Sequence, residues 1–185
     1  VRYILIKLII YLILWGKEMI NNDKKIQLLL DKQEIYEVLL RYCQGVDRCD
    51  NELIKSVYHD DAQDDHGMFK GKGLDFADWI VDWEIENIES CQHLIGNFSC
   101  DIQNDIANCE TYCISFSVDK LGNNATVYNR YIDRFEKRKG IWKIADRLVV
   151  LDLTRVDEPA EPFGDVPGWN FTWGSRDKND PLYRR

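Results

Sequence analysis

Cys91-Gln92-His93-Leu94-Ile95-Gly96-Asn97-Phe98-Ser99-Cys100-Asp101-Ile102 is where the chain changes period. Upstream, apolar residues recur at helical spacing. From here they recur every second residue, the repeat of a strand. Three more such runs follow, at 106–118, 125–137 and 141–153. They are separated by the turn formers Gln103-Asn104-Asp105, Leu121-Gly122-Asn123-Asn124 and Lys139-Gly140. Four long strands joined by short turns read as an antiparallel meander.

Toward the N-terminus, Ile26, Leu28, Leu29, Leu30, Ile35, Val38, Leu39 and Leu40 fit a helix with one buried face, extending through Tyr42 to Asp47. Asp50-Asn51 offers a cap for a second helix, Glu52 to Tyr58. His59-Asp60-Asp61 reads as a turn and Ala62 to His66 as a short strand closed by Gly67. Gly71-Lys72-Gly73 precedes a third helix, Leu74 to Ile88, carrying Phe76, Trp79, Ile80 and Trp83. Helices first and a meander after define an α+β fold, a curved sheet wrapped over helices. No repeat or domain-separating linker interrupts it.

The ends differ in character. Residues 1–15 are apolar apart from Arg2 and Lys7, shorter than the roughly 20 residues that a spanning helix needs. No small-residue cleavage site follows. Gly16-Lys17-Glu18-Met19 is what a ribosome-binding site and start codon spell when translated, so residues 1–18 read as a non-native extension and Met19 as the start. A short membrane anchor and a packed apolar helix are the alternatives. With 1–18 set aside, the expectation is a cytoplasmic protein without a membrane partner, its domain spanning 19–157. Residues 158–185 are turn-rich and hold Trp169, Phe171, Trp173 and Tyr183, too many aromatics for a free tail. They read as a segment packed on its own domain or on a neighbouring subunit, with a pocket lid as the sharper alternative.

The bulk numbers bound the partners. The 185 residues carry a net charge of -8, a field that repels nucleic acid. Six cysteines include no CxxC pair; Cys109 and Cys113, four apart on a strand, lie roughly 13 Å apart. They read as small buried residues in a reducing compartment.

Chemistry concentrates in two places. Asp47 ends a helix and His93 opens the sheet, so both can face one cavity. A carboxylate that accepts from imidazole Nδ1–H fixes the tautomer and leaves Nε2 as a general base near neutral pH. The plainer reading is a satisfied structural histidine beside a helix-end carboxylate. Tyr42 lies about 1.4 turns before Asp47 and can donate to a leaving hydroxide or an enolate oxygen; it can equally be a core tyrosine. Arg147 shares a strand face with Lys143, Ala145 and Val149, and either holds a substrate group or pairs with an acid such as Asp133. Asp64 and His66 share another face, while His59 reads as exposed. A metal bound by Asp64, His66 and His93 has no ligand spacing to announce it, so neither metal nor cofactor is expected.

The order of these landmarks resembles the SnoaL-like branch of the nuclear-transport-factor-2-like superfamily over roughly residues 27–155. They are Gly45-Val46-Asp47-Arg48, Asp61-Ala62, Asp65-His66-Gly67, His93, Arg130-Tyr131-x-Asp133-Arg134-Phe135 and Trp142-Lys143-Ile144. The resemblance implies a cone-shaped α+β barrel with a deep apolar pocket, and a homotrimer. It also implies cofactor-free lyase chemistry on hydrophobic cyclic small molecules, as in bile-acid 7α-dehydratase, hexachlorocyclohexane dehydrochlorinase and scytalone dehydratase. The dehydrochlorinase's catalytic pair falls on Asp47 and His93, and its pocket arginine on Arg147. Tyr42 matches a tyrosine of the bile-acid enzyme, whose later aspartate and arginine fall near Ser117 and Val150 and are not retained. Asp64 and His66 fall at the pocket mouth, as substrate-binding residues or supports for His93. The implied function is dehydratase-type elimination on a steroid-like or polyketide-like ring. An isomerase or cyclase with the same base, and a non-catalytic binding or assembly subunit, stand as alternatives.

Overall fold

The computed structural model describes residues 2–158 and 172–184. Helix α1 runs unbroken over Arg2–Asp47. Its buried face consists of Ile35, Val38, Leu39, Tyr42, Cys43 and Val46, whereas Ile26, Leu28, Leu29 and Leu30, expected on that face, are exposed. The helix stops where Cys49 adopts a left-handed φ of 50°. Asp50 then caps α2 (Asn51–Ser56), accepting from Leu53 N at 3.3 Å. The two helices meet closely at Gly45: a Cβ there would sit 2.7 Å from Ile54 Cγ1. Any larger residue would push the end of α1, and Asp47 with it, away from α2.

Strand β1 covers Tyr58–Asp65 and β2 Lys70–Lys72; α3 follows over Gly73–Asn87. The meander is β3 (Ile88–Gln103), β4 (Ile106–Asp119), β5 (Asn124–Arg138) and β6 (Ile141–Asp157). The six strands lie in the order β2-β1-β6-β5-β4-β3. The curved sheet is therefore open, with β2 and β3 as edges, rather than a closed barrel. It is antiparallel except where β1 runs parallel to β6, with Asp64 opposite Arg147. The expected turn at His59-Asp60-Asp61 is instead the beginning of β1. His59 is buried, its Nε2 2.9 Å from the Glu136 carbonyl oxygen, not exposed. Asp60 and Asp61 both face solvent, and the stretch bulges between the pairings with β6 at Tyr58 and from Gln63 on.

The core lies between α1, α3 and the concave face of the sheet, around Phe76, Phe135, Trp142 and Ile144. Asp31 ties α1 to the β5–β6 hairpin, accepting from Trp142 Nε1 at 3.0 Å and Lys137 Nζ at 2.6 Å. Among the described residues, no helix is long and apolar enough to cross a membrane. Trp169 and Phe171 lie outside the described residues; Trp173 and Tyr183 belong to a segment that docks on this chain's own domain.

Candidate active site

Asp47 is the last residue of α1 and His93 the sixth of β3. Their side chains meet, with His93 Nδ1 2.7 Å from Asp47 Oδ1. The backbone N–H of His93 also donates to both carboxylate oxygens at 3.1 Å. The carboxylate is thus gripped from two directions, and with Nδ1–H donating, Nε2 carries the free lone pair. Only 11% of the His93 side chain and 13% of the Asp47 side chain are exposed. Burial is the largest single influence and opposes the imidazolium, but the hydrogen bonds and charges of Asp47 and Cys91 together outweigh it. The ring is held well above the usual histidine range.

Tyr42 bonds to a different histidine. Its hydroxyl lies 2.9 Å from His66 Nε2; His66 Nδ1 contacts Asp64 Oδ1, and Tyr58 donates to Asp64 Oδ2 at 2.6 Å. This is a second carboxylate–imidazole unit, stacked on Phe76 with ring centroids 4.1 Å apart. Burial raises the Tyr42 hydroxyl well above its ordinary value, so it stays protonated. With the His66 ring proton on Nδ1 toward Asp64, Nε2 accepts from the Tyr42 hydroxyl.

Arg147 pairs with its cross-strand partner Asp133 through two hydrogen bonds, Nε to Oδ1 at 2.7 Å and Nη2 to Oδ2 at 2.8 Å. Its guanidinium lies between the rings of Tyr42 and Tyr131, 4.1 and 4.2 Å from their centroids. Of the two readings open for Arg147, the ion pair is realised. Only Nη1 lacks a partner among the described residues.

Asp64, His66 and His93 do not converge, because His93 is held by Asp47. The group whose geometry approaches a metal site is Asp47, Cys91 and His93, with donor atoms within 4.8 Å of one another. The 2.7 Å between Nδ1 and Oδ1 is hydrogen-bond spacing; two ligands of one tetrahedral zinc sit roughly 3.3 Å apart. The six cysteines are all thiols, and they are more than filler. Cys91 Sγ lies 3.7 Å from His93 Nδ1, and Cys100 and Cys109 face each other across β3 and β4 at 3.0 Å. Cys113 is drawn down to about 6 by its hydrogen bond with Cys43, with His93 and Arg147 adding positive charge nearby.

A groove of about 730 Å³ opens where β3 begins and β4 ends. It is lined by the residues that flank the pair, Arg48, Cys91 and Gln92, and by Phe116 and Trp173. A second hollow of about 450 Å³ lies among Leu94, Gly96, Tyr112 and Tyr128. Asp47, His93, Tyr42 and Arg147 line neither; Cys91 connects the larger groove to the imidazole. One contributor was missed from sequence. Arg176, in the charged stretch Arg176-Asp177-Lys178 that the neighbouring aromatics overshadow, reaches the backbone oxygen of Asp47 at 3.0 Å.

A model of the SnoaL-like domain matches residues 27–148, about two thirds of the sequence and all the landmarks from α1 to Arg147. The chain belongs to the SnoaL-like domain family. Solved structures share the fold of this SnoaL-like domain at low identity. A type 2 hexachlorocyclohexane dehydrochlorinase is 18% identical with a TM-score of 0.69, covering 76% of this chain and 99% of its own. A putative scytalone dehydratase from Novosphingobium aromaticivorans is 18% identical with a TM-score of 0.64, covering 75% and 96%. A putative aromatic ring hydroxylase from the same organism is 22% identical with a TM-score of 0.60, covering 70% and 93%. No curated protein matches the sequence.

Proposed function

We propose that this SnoaL-like domain is a lyase that eliminates a leaving group from a hydrophobic cyclic small molecule, with His93 as general base. The observation that carries the reading is the 2.7 Å contact between His93 Nδ1 and Asp47, which leaves Nε2 as the basic atom. Nε2 takes a proton from the ring carbon next to the one bearing the leaving group. The C–H electrons become the new double bond, and the leaving group departs with its bonding pair. Asp47 stabilises the imidazolium that forms. Where the leaving group is hydroxide, Tyr42 protonates it to water. The dehydrochlorinase and dehydratase names of the structural neighbours support elimination over hydrolysis.

Chloride release from hexachlorocyclohexane, and water loss from scytalone, test this directly. A broader probe is deuterium uptake from D2O into cyclic ketones, which reports proton abstraction whatever the leaving group. His93→Ala should lower whichever activity is found by about 10²–10⁴-fold, the usual contribution of a positioned general base. Wild-type rates in that variant would remove His93 from the mechanism and favour an isomerase with another base, or a binding subunit.

A further inference from the structure

We infer that Arg176 is a positioning residue for the Asp47–His93 pair, which makes the C-terminal segment part of the site. The inference rests on the reading of that pair as the base. Asp47 carries a carboxylate at the C-terminal end of α1, where the last carbonyls lack helical partners and the helix dipole is negative. That location repels a carboxylate unless a cation or a cap offsets it. Arg176 supplies both. Its Nε donates to the Asp47 carbonyl oxygen at 3.0 Å and its Nη2 to that of Val46 at 3.2 Å. Its Nη1 donates to the Ile88 carbonyl oxygen at 3.2 Å, and Nη2 also to Glu84 Oε2 at 2.8 Å.

One planar group therefore joins the end of α1, the end of α3 and the first residue of β3, five residues before His93. Lysine, a point charge on a flexible stem, cannot span these acceptors together. Arg176 is also delivered to this place by contacts that do not involve it. Asp50, the α2 cap, receives both Lys178 Nζ and the Tyr183 hydroxyl, the latter at 2.9 Å. Asp180 accepts from Ser175 N at 2.8 Å. Glu84 is buried, which raises its carboxyl, and Arg176 is the cation that opposes this. The two backbone stretches that aim Asp47 at His93 are fastened to each other through this side chain.

The test is the low-field proton resonance of His93 Nδ1–H in the full chain, which reports the hydrogen bond to Asp47 without any substrate. Asp47→Asn assigns it by removing it. In Arg176→Ala that proton should move upfield and exchange with water at least about fivefold faster, as expected when charge-assisted hydrogen bonds to its partner's backbone are lost. Circular dichroism must show the fold retained. Glu84→Gln, which leaves the carbonyl contacts in place, should keep the resonance. Arg176→Lys should fall between wild type and alanine, and it decides alone where the alanine variant does not fold. A wild-type resonance and exchange rate in a folded Arg176 variant overturns the inference. Absence of the resonance from the wild-type protein strikes instead at the Asp47–His93 base itself.

Discussion

The general base proposed above works only when it is unprotonated, and the environment of His93 sets the pH at which that happens. Asp47 raises the imidazole above its usual range, so a larger share of the site is charged at neutral pH. The proton it does accept is bound more tightly. Activity should therefore rise with pH along a limb centred above the ordinary histidine value of about 6.5. Asp47→Asn removes the carboxylate that favours the charged ring. The limb should then move to lower pH, while the plateau rate falls because the tautomer is no longer fixed. A kcat/KM profile of both proteins checks the sign: a limb that stays in place or moves up in the variant contradicts the assignment. His66 differs in kind. It lies in a bonded chain with Tyr42, Asp64 and Tyr58, which suits proton delivery better than contact with substrate.

At the scale of elements, the buried Arg147–Asp133 pair joins β5 to β6 where the concave face meets α1. Neither side chain reaches solvent, so removing one partner strands a charge. Asp133→Ala should cost about 3–5 kcal/mol of stability, read from urea denaturation. Replacing both residues by apolar ones of similar volume should cost far less. A loss below about 1 kcal/mol in Asp133→Ala would mean that water reaches Arg147. The four long strands were legible because their period of two runs for a dozen residues between turn formers. The Asp47–His93 pair was legible because a helix end and a strand start are identifiable points. What was not legible depends on partners distant in sequence. His59-Asp60-Asp61 has the composition of a turn, and it is drawn into β1 only by the pairings with β6 that bracket it, at Tyr58 and from Gln63 on. Lys70–Lys72 is too short to show a period. Arg147 stands out in the sequence, but only the register that sets it opposite Asp133 shows its ion pair.

The whole molecule leaves its sheet half covered. Helices α1 and α3 fill the concave face, while large apolar side chains stand exposed along the strands. Among them are Leu94 at 61%, Phe116 at 47%, Leu148 at 44% and Leu153 at 59% exposure. An ion-pair cluster lies among them, Arg130 bridging Glu110 and Asp152. A monomer rarely leaves so continuous an apolar surface on a sheet in water. The described part of the C-terminal segment, residues 172–184, docks instead at the α1–α2 junction through Arg176, Lys178 and Tyr183. We propose that the cover is a second copy of the chain. Packing sheet against sheet around a threefold axis, as the family resemblance implies, would bury these residues and set the Arg130 cluster between subunits. Light scattering at high micromolar concentration should give three times the chain mass. Leu153→Glu, which places a carboxylate on that surface opposite Tyr128, should shift the mass toward the monomer while leaving the Asp47–His93 hydrogen bond intact. A wild-type protein that remains monomeric at that concentration would refute the trimer, and the apolar surface would then need a different partner.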